Sequence, residues 1–269
     1  MELHVVGGFL GSGKTTAIAA AARMLADEGK KTGIVTNDQG KYLVDTAFFR
    51  ALKLPAAEVT GGCFCCNYGD LDARLAELET GAHPDVIFAE SVGSCADLVA
   101  TVIKPLRALR SNPASFSVFA DSRLLLQRLR GLFLPFSEDI VYIFDAQVEE
   151  ANLLVVNKAD LLTTGERGEL SSLIEQRWPE KAWLLQNTLA ENGVAGWLAQ
   201  LAKHAPRPAA APLDIDYQRY GAGEADLAWL DMRLTVQLPD RDGQAFIRAL
   251  AGNLAGALED EAIPAGHLK

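Results

Sequence analysis

A mostly parallel α/β sheet covered by helices on both faces is the fold class this sequence predicts. Three observations predict it. Short runs that are apolar almost throughout recur along the first two-thirds of the chain, as strands buried on both faces require. Stretches of helical spacing separate them, the alternation that builds parallel crossovers. Glycine-rich or polar clusters follow several of those runs, where open α/β sheets hold ligands.

The first strand is Leu3-His4-Val5-Val6, and Thr16 to Asp27 reads as a helix. Between them lies Gly8-Phe9-Leu10-Gly11-Ser12-Gly13-Lys14-Thr15. That strand–loop–helix setting matches the phosphate-binding pattern G-x-x-x-x-G-K-[ST], so a P-loop NTPase sheet is expected. Gly8, Gly11, Ser12, Gly13 and Thr16 form the cradle, whose backbone N–H groups and helix N-terminus converge on phosphate. Lys14 would reach the β and γ phosphates and the Thr15 hydroxyl would sit on Mg²⁺.

Lys31 to Thr36 is the second strand, ending at Asn37-Asp38-Gln39-Gly40; further strands are Asp85–Glu90, Ser117–Asp121, Asn152–Val156 and Trp183–Leu185. Helical stretches include Tyr68 to Leu78, Arg123 to Leu129 and Glu166 to Arg177. A proline- and alanine-rich linker runs from His204 to Pro212. Met232 to Leu238 then alternates with period two, as a strand with one solvated face would, and Phe246 to Leu258 has helical spacing. The expected organisation is a nucleotide domain at 1–204, a linker and connecting segment at 205–225, and a short or truncated C-terminal α+β segment at 226–269.

Three further motifs carry chemistry. Asn157-Lys158-Ala159-Asp160 follows a strand. A carboxylate in the plane of a purine can accept from N1–H and the 2-amino group of guanine, whereas adenine leaves it facing a lone pair. Asp160 is the base reader, Asn157 ties the loop to the P-loop, the Lys158 stem covers a ring face, and Asn187-Thr188 closes from the other side. Glu90-Ser91-Val92-Gly93 puts an acid for Mg²⁺ at a strand tip and a glycine N–H for the γ phosphate three residues on; Asp38 is the other acid for Mg²⁺ or for placing water. Lys14, Thr15, Asp38, Glu90 and Gly93 are thus the candidate catalytic group. Finally, Cys63, Cys65 and Cys66 in Gly61-Gly62-Cys63-Phe64-Cys65-Cys66 can converge on one soft cation. Zn²⁺ or Co²⁺ suits them best, with copper and nickel also open, a fourth position left for water, Cys95 or a ligand from elsewhere, and burial or a redox pair as the other uses of such thiols. His267 is the one histidine placed to reach a metal, near the end of the sequence.

Bulk properties narrow the class. The 269 residues are 49% apolar, no apolar run reaches the length of about 18 residues of a membrane span, and no signal-type segment stands at the start. A cytoplasmic protein without a membrane partner is expected. With net charge -10 and no basic stripe, a nucleic-acid surface is not expected. Three of four cysteines lie in one six-residue stretch, which is no secreted disulfide framework.

Gly7 to Thr16, Gly61 to Cys66, Glu90 to Gly93 and Asn157 to Asp160, in that order, resemble the CobW-like P-loop GTPases, relatives of the GTPases that serve urease, hydrogenase and cobalamin-dependent enzymes. The resemblance covers roughly residues 1 to 200. It implies a homodimerising GTPase that binds GTP/GDP with Mg²⁺ and couples nucleotide state to a transition metal at the cysteine motif. The resemblance is incomplete at Asn37-Asp38-Gln39-Gly40, where typical members carry an Asn-Glu-Phe-Gly-like segment, and no histidine-rich stretch is present. The function expected is GTP hydrolysis, slow without a partner or metal, controlling metal delivery to a client metalloenzyme or assembly of a corrinoid-dependent protein. The rival readings are a nucleotide-gated regulator with incidental hydrolysis and a P-loop kinase of a small metabolite.

Overall fold

The computed structural model describes residues 1–37, 44–110, 114–203, 213–227, 232, 234–238, 242–261 and 263. Among the described residues, seven strands form one sheet: β1 (Glu2–Gly8), β2 (Thr32–Asn37), β3 (Ala56–Val59), β4 (Val86–Glu90), β5 (Ala114–Asp121), β6 (Leu153–Asn157) and β7 (Ala182–Leu185). Their order is β3-β2-β4-β1-β5-β6-β7, and every pairing is parallel. The central strands are buried almost end to end, which is why their apolar runs do not alternate.

Among the described residues, ten α-helices connect the strands and extend beyond them: α1 (Lys14–Asp27), α2 (Val44–Ala51), α3 (Tyr68–Ala82), α4 (Lys104–Leu109), α5 (Ser122–Leu129), α6 (Glu138–Glu150), α7 (Thr164–Arg177), α8 (Ala195–Lys203), α9 (Tyr217–Asp226) and α10 (Gly243–Asp260). One face of the sheet packs on α1, α2 and α8 through Ile18, Phe49 and Trp197. Trp197 stands edge-on to Phe119, ring centroids 5.0 Å apart, and donates its indole N–H to Ser117 at 3.0 Å. The other face packs on α3 to α7 through residues such as Leu71, Leu106, Leu125, Phe144 and Leu170. Local signals set the helix starts. Ser137 caps α6, Asp121 caps α5, and Thr163 with Glu166 forms a capping box on α7.

Register brings the strand ends together. Val6 pairs with Glu90, Thr36 with Glu90, Asn37 with Val59, Gly8 with Phe119, and Asp121 with Asn157. Gly8, Asn37, Glu90, Asp121 and Asn157 therefore all reach the carboxyl edge of one sheet, the place such folds use for ligands.

The C-terminal part differs from expectation. Residues 232 and 234–238, where period-two alternation predicts a strand, are irregular. An alternating pattern makes a strand only beside another strand, and none pairs with this stretch among the described residues. Helix α10 forms where expected. Most of α9 lies in the stretch read as connecting segment, and it packs on α6: Arg219 bridges Asp139 at 3.0 Å and covers the Tyr142 ring, while Gly223 lies against the Asp139 carbonyl. The linker at 204–212 lies outside the described residues. No helix among the described residues is long and apolar enough to cross a membrane.

Candidate functional site

The P-loop links β1 to α1 in the predicted setting. Gly13 takes φ 91°, a left-handed conformation that favours glycine, and a side chain there would collide with the Asn157 amide. Lys14 is buried and donates to the carbonyls of Gly8 (2.8 Å) and Phe9 (3.1 Å), so its ammonium lies over its own loop. Gly8, Gly11 and Ser12 line that loop, and Thr16 is exposed on the first turn of α1. The Thr15 hydroxyl donates to Glu90 Oε1 at 2.7 Å and stands 3.2 Å from Asp45 Oδ1. A hydroxyl flanked by two carboxylates at a phosphate loop is an oxygen donor set suited to Mg²⁺. Asp45, in the first turn of α2, is a member that sequence reading missed. Asp38 lies outside the described residues.

Gly93 is buried against the P-loop, where an added Cβ would come 2.5 Å from Leu10 Cδ2 and 3.0 Å from its backbone nitrogen. The Gly93 and Cys95 carbonyls accept from Gln147 of α6, each at 2.9 Å. From α9, Glu224 accepts from Ser94 at 2.9 Å and Tyr217 donates to Asp97 at 2.6 Å. Burial pushes the Glu150 carboxyl up to about 8 and the Asp97 charge adds to that, against N–H bonds from Val99 and Leu98.

The Asn157–Asp160 corner follows β6. Asn157 is buried; its amide donates to the Ser12 carbonyl at 2.9 Å, and its oxygen accepts from the Thr188 hydroxyl at 2.8 Å. One side chain thus ties the P-loop to the loop after β7. Asn187 turns into that loop, accepting from Leu189 N at 3.1 Å, and Asp160 is exposed. Lys158 takes φ 62° and places its ammonium 3.0 Å from Asp121.

The cysteines sit after β3, at the same edge of the sheet. The sulfurs of Cys63, Cys65 and Cys66 lie within 4.8 Å of one another. Cys63 and Cys65 are joined as a disulfide and Cys66 is a free, exposed thiol 3.3 Å from Cys63. A soft cation needs thiolates, so the reduced loop is the form competent for metal. Cys95 does not join this group; it is a fully buried core thiol, and burial raises its pKa. His267 lies outside the described residues. Sequence reading also missed the residue that holds the loop. Asn37, at the tip of β2, donates to the Gly62 carbonyl at 2.8 Å and accepts from Phe64 N at 2.8 Å.

The model of the CobW/HypB/UreG nucleotide-binding domain matches residues 2–184. The chain belongs to the CobW/HypB/UreG family. It is 27% identical over 212 residues to a Sinorhizobium protein named zinc chaperone CobW, covering 70% of this chain and 58% of that one. It is 29% identical over 220 residues to the Escherichia coli zinc chaperone YeiR, covering 77% and 61%. A urease accessory protein UreG from Metallosphaera sedula is 31% identical over 167 residues, 57% of this chain and 70% of that one. The chain spans about 60% of the length of the first two relatives. Among solved structures, HypB from Helicobacter pylori in complex with nickel shares the fold at TM-score 0.53 and 16% identity, covering 76% and 86% of the two chains. The described residues thus carry a P-loop and a three-cysteine cluster at one edge of the sheet within the stretch this family model matches.

Proposed function

We propose that the protein binds and hydrolyses GTP and couples its nucleotide state to binding of a transition metal, Zn²⁺ or Co²⁺, as cargo for a client metalloenzyme or corrinoid-dependent protein. The observation that carries the reading is Asn37. It clamps the cysteine loop to the tip of β2, one pairing step from the Thr36–Glu90 register that carries the Mg²⁺ carboxylate. The nucleotide domain is assigned to residues 1–204, with 205–225 as connecting segment and 226–269 as the C-terminal segment, and the active form is a cytoplasmic homodimer.

When bound, Mg²⁺ would be held by Thr15 and Glu90 and would neutralise charge on the phosphates. Lys14 moves from the Gly8 and Phe9 carbonyls to the β and γ phosphates, where it stabilises the charge that develops on the transferring phosphoryl group. The Gly93 N–H reads the γ phosphate. Asn157 fixes the base loop to the P-loop, Asp160 reads the guanine edge and the Lys158 stem covers the ring. Cys63, Cys65 and Cys66, reduced, hold the cargo metal. Placement of the attacking water is assigned to Asp38. The relatives named zinc chaperones support the cargo assignment.

The test is linkage. Zn²⁺ and Co²⁺ are titrated into reduced protein loaded with GDP or with a non-hydrolysable GTP analogue. Metal affinity is expected to differ between the two states by about 5–150-fold, with the reciprocal shift in nucleotide affinity. Equal affinities for both metals would defeat the coupling.

A further inference from the structure

Lys158 is held at both ends by two residues that belong to no recognised motif. Its backbone sits at φ 62°, a conformation that costs energy for a residue with a side chain and persists only where neighbours impose it. The neighbour is Ser122, fully buried, whose hydroxyl donates to the Lys158 carbonyl at 2.9 Å. At the other end, the Lys158 ammonium meets Asp121 Oδ2 at 3.0 Å. Asp121 is 4% exposed and pairs in register with Asn157, so the strand ladder sets its position directly beside the base loop. Burial alone would raise the Asp121 carboxyl, but hydrogen bonds from Arg123 and Lys158, with the Lys158 charge, outweigh it and hold the group below the usual aspartate value.

We infer that Asp121 and Ser122 are positioning residues for the base subsite, which fix Lys158 so that its aliphatic stem is a ready-made platform for the flat face of a purine. The inference rests on the guanine-nucleotide reading above. A lysine stem has four rotatable bonds and is a poor platform unless something fixes its far end. The ion pair fixes it before the nucleotide arrives, so the ordering cost does not fall on binding. Asp121 has a second task, accepting from Arg123 N at 2.9 Å through Oδ1 as the cap of α5. The cap bond and the Lys158 contact use different oxygens; the Arg123 guanidinium also donates to Oδ2 at 3.0 Å and to Oδ1 at 3.3 Å, so Arg123→Ala, which keeps the Lys158 contact, is the control for that ion pair. Asp121→Asn keeps an oxygen for the cap and loses the charge that holds the ammonium.

The stem packs on either base face without reading exocyclic groups, which gives the test its signature. In full-length, reduced protein, Asp121→Asn should weaken GDP and IDP by the same factor, about 5–20-fold by calorimetry. The KM for GTP should rise by that factor with kcat moving less than about twofold. Lys158→Met keeps most of the stem without the ammonium; in that background Asp121→Asn should add no further loss. Unchanged GDP affinity in Asp121→Asn, or an equal loss with and without the Lys158 ammonium, overturns the inference. Should thermal melts show Asp121→Asn unfolded, Ser122→Ala tests the other grip and should weaken GDP and IDP together; a Ser122→Ala protein that binds both like wild type overturns it. Wild-type protein that binds neither nucleotide refutes the guanine reading itself, an outcome distinct from a wild type that binds and a variant that matches it.

Discussion

Asn37→Ala is the substitution that most directly probes the link between the two ends of the proposed site. Asn37 makes three hydrogen bonds with the cysteine loop and its approach: its amide reaches the Gly62 carbonyl at 2.8 Å and the Val59 carbonyl at 3.3 Å, and its oxygen accepts from Phe64 N at 2.8 Å. Phe64 is fully buried, so its N–H has no access to water once the oxygen is removed. An orphaned buried N–H costs about 1–3 kcal/mol, and loss of the short Gly62 bond adds roughly 1 kcal/mol. The Val59 bond is long and contributes less. The total is about 2–4 kcal/mol, and it falls on the segment that carries all three thiols. Part of it will appear as lost global stability. The part that appears as disorder of the loop must be recovered when metal binds, so the metal dissociation constant should rise by at least about tenfold, each factor of ten being about 1.4 kcal/mol.

The assay is competition against a chromophoric chelator, with reduced protein in the GDP state and again with a GTP analogue. Asn37→Asp is the second probe: it keeps an acceptor for Phe64 N but sets a buried carboxylate oxygen against the Gly62 and Val59 carbonyls, so it should also weaken metal binding by at least about tenfold. If Asn37→Ala binds Zn²⁺ within about twofold of wild type and keeps the same nucleotide dependence, the clamp has no part in the metal site and the reasoning fails.

Two further outcomes follow from the same geometry. Lys14→Ala removes the ammonium that now lies on the Gly8 and Phe9 carbonyls, and should lower kcat/KM for GTP by at least about 100-fold with circular dichroism unchanged; phosphate release at the wild-type rate would sink the P-loop mechanism. Glu150→Gln tests the buried carboxyl whose pKa is raised from 4.5 to about 8 by burial, with Asp97 adding to it. The folded state holds that proton more tightly, so its stabilisation is complete below about pH 4.5 and is lost as pH rises through about 8. In urea melts at pH 6 and pH 9, wild type should therefore lose roughly 2–3 kcal/mol relative to Glu150→Gln; parallel curves would refute a buried protonated Glu150.

Most of the sheet was readable because a parallel strand buried on both faces carries few charged residues and little alternation, and β1, β2, β4, β5 and β6 are buried at nearly every position. β3 was not readable. It is four residues long, contains Glu58 and alternates between half-buried and buried. α9 carries glycines and few large apolar residues, and what holds it is tertiary: Arg219 on Asp139, Gly223 against the α6 backbone, Tyr217 on Asp97. The same division runs through the site. Lys14, Thr15, Glu90, Asn157 and the cysteines were legible because each belongs to a pattern whose spacing encodes its chemistry. Asn37, Asp45, Asp121 and Gln147 act on groups 25 to 54 positions away along the chain; Asn37 opens the segment where the resemblance is incomplete, and no local pattern marks the other three.

Those long-range contacts bear on how a nucleotide signal could travel. The loop from Ser91 to Leu98 is held from three sides: by the P-loop at Gly93, by Gln147 of α6 at the Gly93 and Cys95 carbonyls, and by α9 at Ser94 and Asp97. It is buried throughout. A packed segment with three such anchors has little room to deform gradually, so a shift of Gly93 toward a γ phosphate must either be refused or be passed on to its neighbours. On one side those neighbours are rigid helices, and α9 leads into the C-terminal segment. On the other, Val92 and Cys95 share a core with Cys63 and Phe64 of the metal loop. Under the proposed function, a γ phosphate at Gly93 and a metal on the cysteines would bias the same packed element, and α9 holds that element through Glu224 and Tyr217. Coupling of that kind needs no separate pathway, only two arrangements of residues 91–98 with different affinities for each ligand.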